Sequence, residues 1–161
     1  MQTTTGPKRL PCANDTRHLL TMLFGTDTTV ALRKAPILSS EAAIVAVYHD
    51  NEGALKRLLV CDLAFANSAG AALSVIPPGS ALSAIKAGQV PDNILDNLIE
   101  VMNVAVNLFT ESFGGRLELV SVLRRADLPP ETVAALESPQ RTKIDVAIPR
   151  YEKGRVDLIS I

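Results

Sequence analysis

The sequence predicts an α+β domain in which a largely antiparallel sheet carries two long helices packed on it. Three observations point there. Strand-like segments come in consecutive runs joined by turns, not in regular alternation with helices. Residues 62–112 carry helical spacing and capping signals and supply both long helices. The last third of the chain returns to period-two alternation. A length of 161 residues fits a single domain. A chain of this size buries roughly 70% of its unfolded surface, so its core needs no disulfide or metal. Apolar residues make up 47% and aromatics only 4%, with no Trp, so Ala, Leu and Val must fill most of the core.

Residues 1–14 are polar, with Gly6, Pro7 and Pro11, and read as a flexible tail, leaving 15–161 as the domain. Asp15 or Thr16 can cap a short helix through Leu19, Leu20, Met22, Leu23 and Phe24, and Gly25 stops it. A strand is expected near 28–34, before Pro36. "AAIVAVYHD" is a stronger strand, and the turn "NEG" at 51–53 leads into the strand "ALKRLLVC". Asp62 caps the Ala-rich helix "LAFANSAGAALSVI", whose small residues let another element approach, and Pro77 and Pro78 end it. "GSALSAIKAG" is a short helix. Pro91 opens a long one running from about 91 to 112, which ends before Gly114 and Gly115. "RLELVSVLRR" alternates as a strand, "LPPETVAALES" is a short helix, and "TKIDVAIPRY" and "RVDLISI" are the closing strands.

Charge and motifs exclude several function classes. The net charge of −1, from 16 basic and 17 acidic residues, argues against a nucleic-acid partner. No apolar run reaches the ~18 residues of a membrane span. The start of the chain lacks the apolar core of a secretion signal, so a cytoplasmic location is expected. Cys12 and Cys61 lack metal-type or redox-type spacing; Cys61 reads as a small buried residue and Cys12 as part of the tail. His18 sits beside an apolar helix face, and "YHDNE" around His49 reads as a hairpin turn, so no metal site is expected. Phosphate-binding, nucleophile-elbow and zinc-protease motifs are absent.

One helix is unusual. Between Asp92 and Glu111 its polar side carries Asn93, Asn97, Asn103 and Asn107 with Asp92, Asp96, Glu100 and Glu111, and no Lys or Arg occurs from 87 to 115. Leu95, Leu98, Ile99, Met102, Ala105, Val106 and Phe109 can share the buried side. Asparagine lowers helix propensity by roughly half a kcal/mol relative to Ala. A solvated face would do better with Gln or Lys. An acidic, amide-rich stripe suits a partner that offers a cation and a polar cleft. A carboxamide can orient water through its donor and acceptor, and a Glu can pair with a partner's Lys. Those two functions suffice for hydrolysis of an activated phosphoryl group, where positioning and electrostatics supply most of the rate. Any metal would come from the partner.

Asp96, Glu100 and Asn103 are spaced D-x-x-x-E-x-x-N within "DNLIEVMN". This resembles the signature helix of the CheC/CheX/FliY phosphatases of bacterial chemotaxis, and the order of strands and helices from about residue 15 to 160 is similar too. The resemblance implies dephosphorylation of a CheY-like response-regulator receiver in chemotaxis or two-component signalling. It assigns Glu100 to a receiver Lys, Asn103 to the attacking water, and Asp96 to the acidic motif start; Asn107 is expected to touch the partner. It implies no cofactor of the protein's own, Mg²⁺ in the receiver, and a homodimer joined through sheet edges. The first helix has Leu19 and Met22 where a second Glu and Asn would stand, so the chain is more similar to single-site CheX-like members. Two positions depart from the pattern: Met102 stands where Gly is common, and Ala126 where the family has Pro. A non-catalytic module of the same fold, binding a receiver or another signalling protein, is the alternative.

Overall fold

A computed structural model describes residues 9–161; residues 1–8 of the expected tail lie outside the described part. Strands β1 (Thr29–Leu32), β2 (Ile44–His49), β3 (Leu55–Cys61), β4 (Glu118–Arg124), β5 (Arg141–Ala147) and β6 (Gly154–Ser160) form one six-stranded sheet. The order is β1-β5-β6-β3-β2-β4 and every pairing is antiparallel. The helices are α1 (Ala13–Phe24), α2 (Leu63–Leu73), α3 (Pro78–Lys86), α4 (Asp92–Phe113) and α5 (Pro130–Ala135). The α+β class and the antiparallel sheet are as the sequence predicts. Among the described residues no helix is long and apolar enough to cross a membrane.

Some boundaries differ from expectation. Helix α1 begins at Ala13, with Cys12 as N-cap, and the Asp15 carboxylate accepts from the Cys12 backbone N–H at 3.3 Å. Asp15 thus serves as the third helical residue of a capping box, not as the cap itself. Helix α2 stops at Leu73, before Pro77, in a C-terminal motif where Val75 N–H donates to Ala72 and Ile76 N–H to Ala71. Val75 takes the left-handed conformation there, with φ +55°, although it is β-branched and exposed. That position ordinarily calls for glycine.

The core lies on both faces of the sheet. Along β2, Ile44, Ala46 and Tyr48 face the layer containing α1, α2 and α4, while Val45 and Val47 face the opposite side. There Ile37, Ala42 and Leu136 join Leu58, Val60 and Ile159 as a second apolar cluster, with Leu128 and Ala135 packed against it. The segment around 37–42 and the end of α5 therefore cover the face away from the long helix. Buried Asp157 joins this side together: Arg33 and Arg141 both pair with its carboxylate, which also accepts from the Ile37 N–H at 2.9 Å.

Helix α4 is seated by close approach to α2. A Cβ on Gly70 would lie 2.4 Å from the Ile94 carbonyl oxygen, so only glycine allows this separation. Asn67, fully buried, donates to the carbonyls of Leu63 and Gln89 at 3.1 and 2.9 Å and fixes the segment entering α4. At the sheet border, β4 carries one extra residue against β2: Val47 pairs with Ser121 and Tyr48 with Leu119, leaving Val120 bulged and exposed.

Candidate functional site

Helix α4 has 22 residues, opens after Pro91, and closes at Gly114 in the left-handed conformation, with φ +74°. Its core face is Ile94, Leu98, Val101, Met102, Ala105, Leu108 and Phe109. Compared with the expected face, the helix is rotated. Ile94, Val101 and Leu108 are inside, Leu95 and Val106 are half-buried at the flank, and Ile99 is 36% exposed. The rotation sets Asp96, Glu100, Asn103 and Asn107 outward along one line. They span twelve residues, about 16 Å of helix axis. None of the four has a hydrogen-bond or ion-pair partner among the described residues.

What lies behind the line is buried and packed. The Tyr48 hydroxyl, buried under α4, donates to the Met102 carbonyl at 2.7 Å. Its ring meets Phe109 with centroids 4.9 Å apart and planes tilted by 51°. Burial raises the Tyr48 pKa far above the usual phenol range, so the hydroxyl remains a donor. Met102, the departure from the expected Gly, is fully buried, so its side chain serves the core and stays away from the exposed line. At the far end, Arg57 is buried with its guanidinium 4.9 Å from the Phe113 ring, and burial lowers its pKa. Its Nη1 donates to the Lys56 carbonyl at 2.8 Å.

Two residues of the acidic, amide-rich stripe turn out to have partners. Asn97 is half-buried and donates its Nδ2 to the Gly70 carbonyl at 2.8 Å, so it fastens α4 to α2. No Lys or Arg from 87 to 115 is at hand to pair with Asp92. Arg124, arriving from β4, donates to its carboxylate and to the Val90 carbonyl, both at 2.9 Å. Asp96, Glu100 and Glu111 have no cationic partner among the described residues. Neither Tyr48 nor Arg124 was identifiable as a neighbour of the site from local sequence, since each reaches α4 from more than thirty positions away. Ala126, the second departure, is exposed in a single 3₁₀ turn after β4 (Arg125–Asp127).

Elsewhere the sequence readings of turn residues hold. The Asp50 carboxylate accepts from the N–H groups of Glu52 and Ala54 at 2.9 and 3.0 Å, which builds the hairpin after His49. A groove of about 670 Å³ beside the start of α4 is lined by Glu41, Gly88, Asp92 and Arg124 among others and includes none of the four outward residues. The line is an exposed ridge along α4, outside that groove. By itself it can supply carboxylates and amides, but no nucleophile and no metal-binding cluster.

This sheet order, with a long amphipathic helix across it, is the CheC/FliM-middle fold. The solved structures that share it include a FliM middle domain from H. pylori (TM-score 0.59, 8% identity, covering 92% of this chain and 84% of that one). The FliM middle domain from Vibrio alginolyticus gives a TM-score of 0.58 at 7% identity, covering 92% of this chain and 88% of that one. The CheX–CheY–BeF3–Mg²⁺ complex from Borrelia burgdorferi also matches, with a TM-score of 0.49 and 8% identity over 88% of this chain and 90% of that one. No family model matches the sequence, and no curated protein does.

Proposed function

We propose that the protein is a CheX-like phosphatase acting on the phosphoaspartate of a response-regulator receiver, with α4 as the element that enters the receiver's active site. The observation that carries this reading is the pairing of Glu100 and Asn103 on one outward line, both exposed and unpartnered among the described residues, against a buried backing. Glu100 pairs with a receiver Lys and sets the docking register. Asn103, three residues on, lies on the same face and offers a donor and an acceptor to one water. The receiver contributes the acyl phosphate and Mg²⁺, and the phosphatase contributes position. Asp96 lies one turn before Glu100 and extends the acidic contact; Asn107 extends the line beyond Asn103.

The test is the rate at which a phosphorylated CheY-type receiver loses phosphate with the intact protein and with Asn103→Ala. The intact protein should accelerate the loss, and the variant should bind equally well but accelerate about 100-fold less, the typical effect of removing one positioning group. Equal rates from both would reject the mechanism. The second reading is a module that binds a receiver or another signalling protein through the same ridge without chemistry. The replacement of the expected Pro by Ala126 favours it. It predicts tight binding of a receiver carrying beryllofluoride with no gain in phosphate loss.

A further inference from the structure

We infer that Asn107 is the second half of an amide pair with Asn103 that grips the reacting phosphoryl group; this rests on the proposed action of α4 on an acyl phosphate. Of the four asparagines on the helix, Asn97 is accounted for by the Gly70 carbonyl. Asn93 lies in the first turn, where asparagine is well tolerated. Asn103 and Asn107 stand in mid-helix, exposed, with no hydrogen bond among the described residues, so neither offsets its poor helix propensity within this chain.

Their spacing of four places the two side chains one above the other, about 6 Å apart along the axis. Side chains so placed can converge on one small group, as two helix histidines at this spacing converge on one metal ion. Each amide has one acceptor oxygen and two N–H donors. Asn103 turns its oxygen to the attacking water, and Asn107 donates an N–H to a phosphoryl oxygen. Glu100 and Glu111 flank the pair in sequence, so a neutral donor is the group that can approach a phosphoryl oxygen there. The Thr110 hydroxyl donates back to the Val106 carbonyl at 2.9 Å and does not compete. In the step itself, the water oxygen bonds to phosphorus as the bond from phosphorus to the aspartyl oxygen breaks. The aspartate carboxylate leaves with the bonding pair, and one water proton passes to a phosphoryl oxygen, giving dihydrogen phosphate.

The experiment measures phosphate loss from a CheY-type receiver, phosphorylated with acetyl phosphate, over a range of receiver concentrations. The proteins compared are the intact chain, Asn107→Ala, Asn103→Ala and the double variant. Alanine is the better helix former, so these variants keep the helix. Asn107→Ala should lower kcat about 10- to 100-fold with KM within about twofold. The double variant should be no more than about threefold slower than the worse single one, as expected of two groups acting as a unit. A rise in KM at unchanged kcat, or no change in either, overturns the pair while leaving the phosphatase reading standing. An intact protein that does not accelerate phosphate loss at all overturns both.

Discussion

The outward position of Asn103 is set by what the preceding residue packs against. Met102, its neighbour in the chain, points into the core, and the Met102 carbonyl is held by Tyr48 from the sheet. Replacing Tyr48 by Phe keeps the ring against Phe109 and deletes the hydroxyl. Denaturant unfolding should show a loss of about 1 kcal/mol, and an unchanged midpoint would show that the bond is idle. Val75 predicts the opposite sign. A β-branched residue held at positive φ costs about 1–2 kcal/mol, and this side chain is 75% exposed with little packing to lose. Val75→Gly should therefore raise the unfolding midpoint; a lower one would mean that the side chain packs in a way its exposure does not suggest. At this scale the sequence was partly legible. The outward positions of Glu100 and Asn103 follow from their spacing. The function of Asn97 does not, because its partner lies 27 positions away and is a backbone carbonyl with no side-chain signature.

The elements were legible where a single pattern governs them. Asp62 caps α2 by accepting from the Phe65 N–H at 2.9 Å, as its place before an apolar run predicts. The rotation of α4 was harder to read because apolar residues occupy more than half of its circumference, from Ile94 through Val104 and Val106 to Phe109. Several faces then satisfy the helical period, and contact with α2 selects one. The apolar cover on the second sheet face had a signal in the unbroken run Ala42–Tyr48, since strands buried on both sides lose their alternation. The glycine at the α2–α4 crossing makes a sharp prediction. In Gly70→Ala the new methyl would meet the Ile94 carbonyl and side chain at 2.4 and 2.6 Å. Overpacking of that kind costs about 1–3 kcal/mol and should displace α4, so stability and receiver binding should fall together. Loss of one without the other would separate the crossing from the ridge. The uncompensated charges of Asp96 and Glu100 should also make docking weaken with added salt, chiefly through slower association. A salt-independent association rate would exclude them from the encounter.

For the molecule as a whole, Asp157 is the long-range fastening. Its carboxylate joins Arg33 beyond β1, Arg141 on β5 and the Ile37 N–H to β6. Asp157→Ala would remove the carboxylate that Arg33 and Arg141 share, and breaking a buried pair costs about 3–5 kcal/mol. Thermal unfolding should move down by several degrees; a shift below one degree would show that the arginines find other partners.

The extra residue in β4 has a consequence for how copies of the protein can meet. Two identical borders laid side by side must keep inward and outward side chains in step along their whole length. Val120 interrupts that step, so only Ser121–Arg124 could zip onto a second copy in continuous register. The opposite border, β1, is itself four residues long. A homodimer joined through β4 would therefore be short-seamed and should separate on dilution, which sedimentation across a concentration series would reveal. The same interruption denies a passing strand a template on which to grow, giving this border of the sheet the character of a selvedge: a woven edge finished so that it does not run.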